Sequence, residues 1–349
     1  MRSLVATTAV ALSVVLVAGC STDSDSGDAP ASSSSSTPVA AEPAVAPAPT
    51  VTPAGRVIEV GNEPEGVVIG TSGIAAVGVR RPDAITLVNV RSGEVVRSIP
   101  TDGAPRHLEL AGPDGPVILP LETTNTITEL SFDGTFGPIA TGIGDLPHDA
   151  VRTSDGTIVG TNEHGGGALF IRDGKLVKSL PAGPPQPGGV AAVGKYAAMA
   201  DVQGNGVFVY DATTMTEVAS KRIGTRLTHA HALGDGLVAF ADTDGGAVLV
   251  ERITPQVVDV ARIEAPGKPY GLSYDARTKT LLVTLGSSNK LRLVDMTDPA
   301  KPRIKGDVPT VQQANSVAMD PVTGIVAVTG SAPGEASSLQ IIPADQLPS

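Results

Sequence analysis

Tryptophan is absent from this 349-residue chain, aromatic residues of all kinds make up 3%, and there is a single cysteine. Without tryptophan the chain lacks the usual platform for stacking sugars, which argues against a glycan-binding face. One cysteine excludes an intramolecular disulfide. Basic residues are also outnumbered, 25 against 36 acidic, for a net charge of −11. Such a balance carries no electrostatic footprint for nucleic acid and favours cations as ligands. No G-x-S-x-G elbow or S-x-x-K motif appears, so nucleophilic hydrolysis has no visible carrier and no enzyme activity is expected. The glycine runs at 165–167 and 204–206 lack the strand–loop–helix setting of a phosphate cradle. After the first twenty residues no window sustains a 3.6-residue apolar period, which points to an all-β protein.

What is present begins with a leader. Met1-Arg2 and the apolar run 4–17 have the make-up of a secretory signal, too short for a membrane span. The run ends in Val17-Ala18-Gly19-Cys20, which resembles the bacterial lipobox. The resemblance implies cleavage of residues 1–19, a diacylglycerol on Cys20, and residence at the outer face of the cytoplasmic membrane through that anchor alone. Losing Arg2 with the leader makes the net charge −12. Residues 20–52 are nearly all Ser, Ala, Pro, Thr, Val and acids, and are expected to form a disordered stalk. The folded domain is expected over residues 53–349, as a monomer.

That domain repeats. A Pro-x-Gly-like entry followed by a short apolar strand begins at Pro64, Pro105, Pro147, Pro187, Thr228, Pro269 and Ala314. The intervals are 41, 42, 40, 41, 41 and 45 residues. Seven units of this length match the blades of a β-propeller. Within each unit, Val/Ile/Leu-rich strands alternate with turns such as Gly234-Asp235-Gly236 and Asp155-Gly156. The last unit has three strands, at 316–319, 325–329 and 339–342, while an extra strand at 57–60 precedes the first entry. The N-terminal strand is therefore expected to complete the last blade and close the ring. Residues 281–284 and 290–295 resemble the YVTN-type propeller repeat, which implies fold and little else.

In a propeller the entry turns and the turns after second strands lie at one end of the channel. The entry turns carry His107, His148, His229 and His231; the second set carries Glu122, Glu163, His164, Asp201, Asp242 and Asp244. All five histidines thus fall at one end. Imidazole and carboxylate form the ligand set for zinc and other first-row divalent ions. His107, His148, His164, His229, His231, Glu163 and Asp242 are the candidate ligands, with Asp149 placed to orient His148. His107 stands where the motif has Gly, so an imidazole is expected to intrude into the channel.

The stretch 227–244, with its His229-x-His231 pair, strand and acidic turn, resembles the signature blade of AztD-type zinc chaperones. The resemblance implies zinc at the channel mouth, held by His229 or His231 and Asp242 with His107 and His148, and delivery to an ABC-transporter solute-binding protein. A metal-free scaffold for protein partners, or a lactonase-like propeller enzyme, are the alternatives.

Overall fold

A computed structural model describes residues 42–330 and 338–349, within a compact unit spanning 38–349. The expected leader, the expected lipidation site Cys20 and residues 20–41 of the expected stalk lie outside the described residues. Seven antiparallel sheets make up the fold, six with four strands and one with three. They begin with Val67–Ile69, Glu109–Leu110, Pro147–Arg152, Pro187–Val193, Leu227–Gly234, Pro269–Asp275 and Ala314–Met319, one near each repeated entry. Within six of the blades the strands follow in chain or reverse order as simple meanders, and in the five of these with four strands the fourth is mostly exposed or half-buried. The protein is a seven-bladed β-propeller.

The ring closes as the sequence suggests. Arg56–Glu59 pairs with Ser338–Ile342, with Arg56 opposite Ile341 and Glu59 opposite Ser338. The first and last strands of the described chain therefore share one blade, and neither is left as an open edge on that side.

Seven apolar clusters hold the molecule together, and each lies between two neighbouring blades. Blades 5 and 6, for example, meet through Ala239, Ala241, Val248 and Val250 against Leu281, Val283 and Leu285. Sheets packed face to face must bury both faces, so the inner strands carry little polarity. Alanine and valine fill these contacts, which is how the domain manages with so few aromatic residues. The entry glycines answer to the same crowding. A Cβ on Gly271 would lie 2.2 Å from Asn315 O, and one on Gly189 would lie 2.6 Å from Ala230 N.

Two departures have physical causes. Blade 2 has three strands, and its outer position is taken by a chain that touches the sheet through isolated bridges at Phe136 and Ala140. Pro138 between them cannot donate to a ladder, and Gly134 and Gly142 have positive φ. The second departure is at residues 42–52, which composition assigns to the stalk. They lie against the propeller: Ala46 is buried, its carbonyl accepts from Gln312 Nε2 at 2.8 Å, and the Pro47 carbonyl accepts from Asn289 Nδ2 at 2.8 Å. Proline-rich chain leaves its carbonyls free, and here side chains of blades 6 and 7 take them up.

Candidate metal centre

The middle residue of the entry motif occupies an equivalent position in every blade. Around the ring that column reads Glu65, Arg106, His148, Gly188, His229, Tyr270 and Asn315. All except the glycine are buried polar side chains. A propeller brings equivalent positions together around its axis, so this column becomes a polar belt inside an otherwise apolar ring.

Three imidazoles meet in the belt. His107, His148 and His229 come from blades 2, 3 and 5, and each offers a ring nitrogen within 4.8 Å of the other two. His107 Nε2 and His229 Nε2 are 2.9 Å apart. The rings of His107 and His148 have centroids 4.6 Å apart, and Tyr270 covers His229 with centroids at 4.0 Å. All three histidines are buried. Burial, and then the neighbouring imidazoles, hold His107 and His229 well below the ordinary histidine range. Both are thus neutral and able to donate a lone pair.

His148 is held differently. Its Nδ1 lies 2.9 Å from Glu122 Oε1 and 3.0 Å from Glu163 Oε2, and Gln186 Nε2 donates to Glu163 Oε1 at 3.2 Å. Burial opposes a charge on His148, but Glu163 and the hydrogen bonds with both glutamates outweigh it and lift its pKa to about 10. The carboxylates fix the ring with Nδ1 towards them. Its Nε2 is buried and has no hydrogen-bond partner among the described residues. A cation among the three rings would take the place of the Nε2 proton and satisfy that nitrogen.

Arg106 closes one side of the site. Its side chain is 1% exposed, with Nη1 3.0 Å from Glu65 Oε2, Nη2 3.0 Å from Glu42 Oε1 and Nε 3.6 Å from Glu122 Oε1. Arg80 joins the same acids, 2.7 Å from Glu65 and 3.3 Å from Glu122. On the other side the first strands of six blades line a cavity of about 180 Å³ that includes His107, His229, His231, Glu109 and Asp149.

The remaining sequence candidates are placed elsewhere. His231 lies farther along the cavity with its Nδ1 4.0 Å from Glu109 Oε1, and burial lowers its pKa to about 4. His164 sits half-buried at its hairpin tip, where its backbone N–H donates to Asp145 O at 3.2 Å, outside the cluster. Asp242 stitches its own turn: Oδ1 accepts from the backbone N–H groups of Thr225, Arg226 and Gly245 at 2.8–3.0 Å. Asp244 pairs with Lys268 at 2.7 Å and Asp201 caps a turn at Gln203. Glu163 is in the site, as a carboxylate holding His148. Asp149 does not orient His148. Its two oxygens accept from Ala150 N and Val190 N at 2.8 and 2.9 Å, and burial raises its pKa to about 6. Arg106 and Tyr270 carry no metal-ligand signature and the entry-turn acid Glu65 lies outside the candidate set, yet reading the entry motif as a column would have found all three.

No protein-family model matches the chain, and no curated protein does. Solved structures match over most of its length. One is a streptogramin B lyase, at 14% identity and TM-score 0.67, covering 84% of this chain and 97% of that one. A virginiamycin B lyase from Staphylococcus aureus matches at 15% identity and TM-score 0.67, over 82% and 98%. A chain of a mitotic checkpoint complex matches at 16% identity and TM-score 0.70, over 88% and 99%. At such identities the likeness establishes the fold alone, and lyases and assembly proteins share it. The class is a seven-bladed propeller whose axis carries a histidine cluster able to hold a metal ion.

Proposed function

We propose that the protein binds a divalent metal ion, zinc foremost, through His107, His148 and His229, and delivers it as cargo to an ABC-type uptake system. The observation that carries this reading is the His148 arrangement: Nδ1 held by Glu122 and Glu163 while buried Nε2 faces two neutral imidazoles. Carboxylate–histidine–metal order of this kind fixes the tautomer and raises ligand basicity. Three imidazoles with an open fourth position are a zinc arrangement suited to exchange; copper(II) or nickel(II) would accept the same donors. The acidic chain attracts the ion, and a lipid on Cys20 would keep the carrier at the outer face of the cytoplasmic membrane. Delivery to a solute-binding protein is supported by the resemblance of blade 5 to zinc chaperones. Ligand exchange needs no nucleophile, in keeping with a carrier and not an enzyme.

Competition titration of the full chain with zinc and a chromophoric chelator tests the reading. One tight equivalent is expected, abolished by His148→Ala. Zinc binding no tighter than about 1 mM, the loss of ~8 kcal/mol relative to a nanomolar site, would sink it. Loaded protein mixed with an apo solute-binding protein then separates a carrier from a store.

A further inference from the structure

His107 in the segment leading into strand Glu109–Leu110 and His229 in strand Leu227–Gly234 are each followed by a second polar residue one step along. Two residues after His107 comes Glu109, and two residues after His229 comes His231. A two-residue step moves a side chain roughly 6.6 Å along a strand and returns it to the same face. His231 Nδ1 and Glu109 Oε1 are 4.0 Å apart, with side chains 26% and 30% exposed. Both line the cavity that begins at His107 and His229. Two ligands each about 2.1 Å from one ion can stand up to about 4.2 Å apart, so one ion can bridge this pair.

The opposite side offers an ion no comparable approach. There the buried Arg106 guanidinium lies against Glu65 and Glu42, and Arg80 adds a second positive charge. Residues 42–47 cover that side, with Ala46 buried and the Ala46 and Pro47 carbonyls held by Gln312 and Asn289. A cation arriving there meets three carboxylates, Glu65, Glu122 and Glu42, already paired with two guanidinium groups, and packed chain.

We propose that Glu109 and His231 form a second, weaker station for a first-row divalent cation, and that ions reach and leave the histidine triad past it. This rests on the triad being a metal site. One imidazole and one carboxylate, with water completing the sphere, hold an ion less firmly than three imidazoles. A weak station beside a tight one lets an ion leave by stepwise ligand exchange. Asp149 lines the same cavity but spends both oxygens on backbone N–H groups.

The test uses the full chain, with zinc as the probe. Competition titration should find two equivalents, one tight and one weaker. Glu109→Gln with His231→Asn should lose the weaker one and slow release of the tight one to a chelator in stopped flow. Glu109→Gln alone, nearly isosteric, should weaken the second equivalent, and thermal melts confirm that each variant folds. Glu42→Ala, on the far side, should leave the release rate unchanged. A single tight equivalent in the parent protein, or a double variant that keeps both equivalents and the parent release rate, overturns this inference alone. Faster release from Glu42→Ala overturns the path. No tight equivalent at all overturns the triad reading with it.

Discussion

His107 Nε2 and His229 Nε2 stand 2.9 Å apart across the axis, although 122 residues separate them in the chain. One ring must donate to the other, so the pair is a neutral hydrogen bond inside a buried belt that also holds charged groups. The ring of blades brings the entry turns to one level around the axis, and the bulge before His229 turns its ring towards His107.

Metal affinity should depend on the carboxylates as well as on the imidazoles. His148→Ala is expected to remove tight zinc binding, while Glu163→Gln keeps the fold and weakens affinity by about 10–100-fold. Affinity should fall as pH is lowered, because the imidazoles bind metal only when unprotonated. Chelator competition at several pH values measures both effects.

Arg106 should be the most sensitive charged residue in the domain. Its 1% exposed side chain compensates Glu65, Glu122 and Glu42 together. Arg106→Ala leaves those acids facing one another in a buried site, and should cost about 3–5 kcal/mol. Arg106→Lys keeps the charge and loses the planar fork, so it should recover part of that. Urea denaturation followed by circular dichroism gives the difference.

Acid stability should reflect the junction of blades 7 and 1. Asp320 Oδ2 receives Arg91 Nε at 2.8 Å, and its side chain is fully buried. Burial alone would raise its pKa, but Arg91, Thr323 and the Val322 N–H together bring it below the ordinary aspartate value. A depressed carboxylate stabilises the fold in full above its unfolded pKa of about 3.9, and the contribution fades as pH drops towards the lower native value. Asp320→Asn should therefore lower stability at neutral pH and flatten the dependence below about pH 5, read as melting temperature against pH.

Ring closure should be worth a core contact. Leu339 and Ile341 lie on the strand that receives Arg56–Glu59 and pack into the cluster between blades 7 and 1. Leu339→Ala, at 0% exposure, is expected to cost about 2–5 kcal/mol. Hydrogen exchange should then rise first at residues 56–59, the strand paired across that site.

The blade count, the all-β class and the closing strand were legible because each follows from periodicity and from one strand too many at one end and too few at the other. His107, His148 and His229 were legible because entry turns share a level in the ring. His231 and His164 were not separable from them: a repeat gives the height of a residue but not the bulge at His229 that sets which side chain meets the axis. Asp242 looked like a ligand because Asp serves metals and turns alike, and three backbone N–H groups decide for the turn. Arg106 has no lone pair to offer a metal, so the ligand pattern does not point to it. The contacts of residues 42–52 were hidden because composition measures how little a segment can bury alone, and not which side chains elsewhere will bond its carbonyls.

The shared blade also sets an order of events during synthesis. Residues 56–59 leave the ribosome long before 338–342 are made, so the strand born first is among the last to find its partner. Until then the nascent chain is an open arc with a free edge at each end, each able to recruit a strand from another chain. A chain cut short near its C-terminus would keep that arc permanently, and its fate would be aggregation and not a smaller ring.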